Sequence, residues 1–78
     1  MVKSEQFRSW LKQNTAYSDA VIGDIISRVR RADSCLEIYH NDVYQFYLER
    51  NEHYKKLSVS VKSQIKKAVF LYQKFSNE

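Results

Sequence analysis

Proline is absent from this 78-residue chain, and glycine and cysteine occur once each. All-β domains of this size need many tight turns, which Gly and Pro make most readily, so their near absence points to helices. A lone Cys35 excludes an internal disulfide and fits a reducing compartment. It stands beside Leu36 near a predicted helix end, where it serves as a small hydrophobe rather than a catalytic thiol. No run approaches the roughly 18 apolar residues that span a membrane. Phe7, Trp10 and Leu11 are interrupted by polar and charged residues, which is not the pattern of a secretory signal. The expectation is a soluble cytoplasmic protein with no membrane partner.

Signatures of catalysis are also missing. There is no Gly-rich phosphate loop and no nucleophile elbow. His40 and His53 have no further metal ligand in helical register. Glu49 and Glu52 stand at i, i+3, and paired carboxylates can do acid–base work. At an exposed helix end they read as solvated. A chain this short buries roughly 60% of its unfolded surface, too little for a catalytic cleft beside a core. The expectation is therefore a non-enzyme, with no catalytic residues, metal, cofactor or small-molecule substrate.

Acidic residues are missing from one stretch in particular: none occurs between His53 and Asn77. Residues 1–54 carry seven Lys/Arg against eight Asp/Glu, whereas residues 55–78 carry six Lys against one Glu. The net charge of +4 thus comes from the C-terminal third, which suggests a polyanionic partner, either nucleic acid or an acidic protein surface. A solvated lysine face without a partner is the plainer reading.

What is present is enough for one folded domain over 1–78, with 44% hydrophobic and 14% aromatic residues. The spacing predicts a long closing helix from Ser58 to Phe75, capped by Ser58 or Ser60. Val61, Ile65, Ala68, Val69, Tyr72 and Phe75 form its apolar stripe. Lys66, Lys67 and Lys74 project to the other side, with Ser63 among them and Lys62 on the flank.

Ahead of it, a first helix runs from about Ser4, its expected N-cap, to Gln13, with Phe7, Trp10 and Leu11 inward. Asn14 to Tyr17 is a short polar link. A second helix follows the N-cap Ser18, with Asp19 against the positive end of the dipole. Ile22, Ile25, Ile26, Val29 and Leu36 share one face, with Ala32 and Asp33 near its edge. Its β-branched content suits a strand, but the spacing does not alternate. Gly23 inside this helix implies close approach by a neighbour. Arg31 points away from the stripe, and Arg28 and Arg30 flank it. After a link at 37–40, a third helix capped by Asn41, with Asp42 next, turns Val43, Phe46, Tyr47 and Arg50 to one side. Tyr44 and Leu48 lie on another. Asn51 to Leu57 reads as a loop carrying Lys55 and Lys56. The sum is a small all-α domain of four or five helices, bundled or orthogonal.

A major groove about 12 Å wide admits one helix, and lysines on that helix can neutralise phosphates. Ser63, Gln64 and Gln73 add hydrogen-bonding capacity. Phe70 lies opposite the core stripe, among the lysines. The favoured reading packs it on the first helix or a folded-back link; the other leaves it exposed as a partner surface. The six tyrosines are expected at the rim of the core with wet hydroxyls. Their spacing does not collect them into a stacking platform for single strands.

The order of these features resembles the N-terminal core-binding, SAM-like domain of phage integrases and other tyrosine recombinases. Phe7-Arg-Ser-Trp-Leu11 is similar to its opening helix, and Tyr17 to Arg31 to its capped basic helix. Asn41 to Leu48 is similar to its short third helix, and Leu57 to Phe75 to its closing helix. Val21 and Ile25 depart from the usual Thr and aromatic of the second helix. The resemblance implies a four- or five-helix orthogonal bundle that clamps duplex DNA with its second and fourth helices. Carried over by position, the DNA-binding residues are Arg28, Arg31, Lys62, Ser63, Lys66 and Lys67. The family's cleaving Tyr belongs to a separate catalytic domain in a longer parent chain, so Tyr72 is not read as a nucleophile. The functional expectation is a non-catalytic duplex-DNA-binding module; the alternative is a helical protein–protein interaction module with no nucleic-acid role.

Overall fold

The computed structural model of the chain describes residues 2–38 and 43–77. Among the described residues five α-helices follow one another: α1 (Ser4–Asn14), α2 (Asp19–Cys35), α3 (Val43–Leu48), α4 (Glu52–Lys55) and α5 (Val59–Ser76). Among the described residues there is no strand, and the expected all-α bundle is observed. Tyr39, His40, the expected cap Asn41 and Asp42 lie outside the described residues. The stretch read as a loop from Asn51 to Leu57 contains one helical turn, α4, so the helix count is five.

The long helices begin where local chemistry lets them. The Ser18 hydroxyl accepts from the Val21 N–H, and Ser58 does the same for Val61 (both 3.3 Å). Each satisfies a first-turn donor that has no intrahelical partner. The opening helix departs from this pattern. Ser4 lies inside α1, and the N-cap is Lys3, which makes no side-chain cap bond. The Lys3 backbone N–H instead donates to the Tyr72 hydroxyl of α5 at 3.0 Å. A tertiary contact therefore anchors the start of α1.

Two apolar clusters meet along α2 and α5. The first joins Phe7 and Leu11 of α1 to Ile22, Ile25, Ile26 and Val29 of α2 and to Ala68 and Tyr72 of α5. The second joins Ala32 of α2 to Tyr44 and Leu48 of α3, Tyr54 of α4, and Ile65 and Val69 of α5. Ala32, expected near the edge of the stripe, is fully buried. Leu36, expected on the helix face, lies one residue past α2 and is half-buried. Each large apolar side chain buried this way contributes about 1.5–3 kcal/mol. The radius of gyration, 12.0 Å, is close to the roughly 11.5 Å of a compact chain of this length.

An aromatic group closes the chain on itself. Phe7 meets Tyr72 edge-on at 5.1 Å and Phe75 at 5.4 Å, and Trp10 meets Phe75 at 6.0 Å. Edge and tilted contacts of this kind add to what area burial alone supplies.

Three tyrosines are buried: Tyr72, as its place on the α5 stripe predicts, and Tyr44 and Tyr54. Their hydroxyls bond to the backbone. Tyr44 donates to the Leu36 carbonyl at 2.6 Å, with the Ala32 carbonyl 3.3 Å away. α2 has no basic residue in its last turn, so its final carbonyls depend on such tertiary donors. Asn51 supplies another. Its Nδ2 donates to the Cys35 carbonyl at 2.8 Å, while its Oδ1 accepts from the N–H groups of His53 and Tyr54. One amide thus ends α2 and starts α4.

Of the two apolar sides expected on α3, the core takes one. Tyr44 and Leu48 are buried, whereas Val43, Phe46 and Tyr47 are about half exposed. Both sets have helical spacing, and what selects the first is the Tyr44 hydroxyl reaching α2. On the outer face the Arg50 guanidinium stacks 4.3 Å from the Phe46 ring centroid.

Gly23 does not mark a close approach: a Cβ built there meets nothing within 4 Å, and its φ is not positive. Gly23→Ala should therefore raise unfolding stability by up to about 1 kcal/mol, measurable by urea denaturation; a loss of stability would mean the site is crowded. Asp is an N-cap as good as Asn, yet Asn51→Asp should destabilise by about 1 kcal/mol or more. It loses the donor to Cys35 and sets a carboxylate against the negative end of α2. An unchanged denaturation midpoint would reduce Asn51 to a local cap.

Candidate nucleic-acid interface

The basic face is built on α5. Ile65, Ala68, Val69 and Tyr72 turn inward and are buried, which leaves Ser63, Lys66, Lys67, Phe70 and Lys74 exposed. Lys62 is half-buried on the flank. Lys62 falls in the first turn of the helix, where the backbone dipole is positive and disfavours cations. Lys62 and Lys66 are also an i, i+4 like-charge pair, a spacing that costs a helix a few tenths of a kcal/mol. The first turn holds no acidic residue. Among the described residues the ion pair present joins Lys12 to Asp19 at 3.3 Å, far from this face in sequence. Among the described residues no α5 lysine forms an ion pair, although Glu49 borders the same hollow as Lys62 and Lys66.

Lys62 is held more firmly than the rest. Its ammonium lies 5.9 Å from the Tyr54 ring centroid, and its backbone carbonyl accepts from the Tyr54 hydroxyl at 3.1 Å. Burial pushes the Tyr54 phenol above its ordinary value, and Glu49 and Cys35 push the same way against a smaller opposing effect of Gln45. Lys62, Ser63 and Lys66 border a hollow of about 330 Å³ with Tyr54 and Val59, to which Glu49 brings a carboxylate.

The six residues carried over from the family resemblance fall into two groups. Lys62, Ser63, Lys66 and Lys67 form one continuous stretch of the α5 surface. Arg31 is exposed on α2 and Arg28 is half-buried; neither borders the hollows along α5. Arg30 borders a separate hollow with Val2, Ser4, Asp33 and Ser34. Packing decides this division, because α2 turns one face to α5 and to α1 and leaves its arginines around the remainder.

Phe70 does not pack on α1 or a link, the favoured expectation; it is 67% exposed. Beside it is an open hollow of about 640 Å³, bordered by Ser63, Lys66, Lys67 and Phe70 of α5, Gln45 of α3, and Tyr17 from the link between α1 and α2. Tyr17 is 47% exposed. Gln45 is half-buried. Sequence reasoning passed over Tyr17 and Gln45 as site residues. An aromatic in an otherwise polar link was the available signal for Tyr17; nothing local marks Gln45.

Among the described residues no group of three or more His, Cys, Asp or Glu could hold a metal ion, and no helix is long and apolar enough to cross a membrane. Glu49, Glu52 and His53 are exposed at the surface. Comparison with protein-family models, curated proteins and solved structures finds no match to the chain, so the likeness to recombinase core-binding domains rests on the residues quoted for it.

The neutral Tyr54 phenol is favoured in the fold. Its contribution to stability is complete below pH 10.0, the unperturbed value, and is lost as pH rises through the higher folded value. Alkaline unfolding should therefore steepen above pH 10, and Tyr54→Phe should flatten that part of the curve. An identical alkaline limb in the variant would assign the loss to other groups.

Proposed function

We propose that this chain is a non-catalytic module that binds duplex DNA through its phosphates, with the outer face of α5 as the contact surface. The observation that carries this reading is the lysine set on the outer face of α5, a helix whose first turn holds no acidic residue. A sequence selected only for stability would place Asp or Glu there. Lys62 to Lys74 covers about 18 Å along the helix axis, enough to meet several phosphates on duplex DNA. A single helix fits a groove about 12 Å wide. Lysine lacks the bidentate geometry of arginine, so contacts from this face would hold the backbone more than read bases. Arg28 and Arg31 would extend the footprint from α2.

The resemblance to the core-binding domain of tyrosine recombinases supports the same reading and adds a catalytic domain in a longer parent chain as a partner. A second reading, a protein-docking module, draws on the exposure of Phe70.

Titration of a labelled duplex across a salt series separates the two. With Lys62, Lys66, Lys67 and Lys74 engaged, log K should fall against log salt with a slope of about −3.6. Replacing Lys62, Lys66 and Lys67 by Ala should cut that slope by about 2.7 and leave the helix content equal or higher. Absent binding at low salt, or a slope unchanged by the triple substitution, rejects α5 as a DNA face.

A further inference from the structure

We propose that the hollow beside Phe70 receives an unpaired nucleobase, so that this face prefers DNA with an extruded or unpaired nucleotide over a continuous duplex. The inference rests on the nucleic-acid reading of α5 and specifies what the α5 lysines would hold in place.

Four features converge on it. Phe70 is 67% exposed and Tyr17 is 47% exposed, and the fold brings both to one hollow although they are far apart in sequence. An exposed ring offers a π-face to any base, which gives stacking without sequence preference. Lys66 and Lys67 border the same hollow, and among the described residues no carboxylate does, so the site suits a ligand carrying a phosphate. Gln45 and Gln73 also border it, and amide side chains can match the donors and acceptors of a base edge. The volume of about 640 Å³ lies in the usual range of small-molecule sites, roughly 300–1,000 Å³.

An amphipathic peptide is a weaker match. It would need a row of apolar positions at helical spacing, and around Phe70 the outer face of α5 is Ser63, Lys66, Lys67 and Lys74. The outer face of α3, with Val43, Phe46 and Tyr47, is also apolar, but nothing in the structure indicates what would cover it.

The test compares a short duplex with the same duplex carrying one unpaired adenine, each titrated with the wild-type chain and with Phe70→Ala, Phe70→Leu and Phe70→Trp. Phe70 is exposed, so these variants should keep the wild-type circular dichroism and melting curve. The wild type should bind the unpaired-adenine DNA about tenfold more tightly than the duplex. Phe70→Ala and Phe70→Leu should erase that margin while keeping duplex affinity and its salt slope. Phe70→Trp should retain the margin and show fluorescence quenching by the stacked base. Equal affinity of the wild type for both DNAs, or a margin that survives in Phe70→Leu, overturns the base-receiving hollow and leaves the phosphate-binding face standing. Failure to bind either DNA at low salt overturns both readings. Binding of an acidic apolar peptide in a Phe70-dependent manner, with no preference between the DNAs, assigns the hollow to a protein instead.

Discussion

Ile22, Ile25, Ile26, Val29 and Ala32 bury one face of α2, and Ile65, Ala68, Val69 and Tyr72 bury one face of α5. Each of the two core clusters draws on both helices. α1 lies over one end of this seam through Phe7 and Leu11, and α3 and α4 cover the other through Tyr44, Leu48 and Tyr54. A chain of this length has little apolar surface to spare. Losing the seam would strand the short helices, because six- and four-residue segments have no helical stability of their own.

The same constraint shapes the proposed interface. α5 must give one face to the seam, so whatever it presents to a partner lies on the opposite face. Lys62, in the first turn and four residues from Lys66, works slightly against its own helix. Retention of the α5 lysines is intelligible if a polyanion compensates them. Phe70 breaks the basic face with an apolar ring, which a solvated surface would have no need to carry.

Polar side chains act mainly as ties between helix ends. Tyr44 and Asn51 supply donors to the end of α2, Tyr54 bonds to the Lys62 carbonyl, and Tyr72 accepts from Lys3 at the start of α1. The ties at the end of α2 and the start of α1 satisfy backbone groups that would otherwise be costly to bury. The abundance of tyrosine thereby acquires a structural reason: the ring fills the core while the hydroxyl reaches a carbonyl or an amide.

The periodic stripes of α1, α2 and α5, the Ser18 and Ser58 caps, and the one-sided charge of α5 were all legible in the sequence. They depend on local spacing and local hydrogen bonds, which a one-dimensional pattern records. Tertiary structure decided the rest. Val43/Phe46/Tyr47 and Tyr44/Leu48 have equally helical spacing, and only the reach of Tyr44 to α2 chose between them. Ser4 looked like a cap, but Tyr72, distant in sequence, fixed the start of α1. Gly23 suggested a crowded crossing and sits in open space, because a missing side chain does not say what stands opposite. The hollow joins Tyr17, Gln45 and Phe70 from three separate segments. No periodicity within one segment encodes that meeting, which exists only once α2, α3 and α5 have packed.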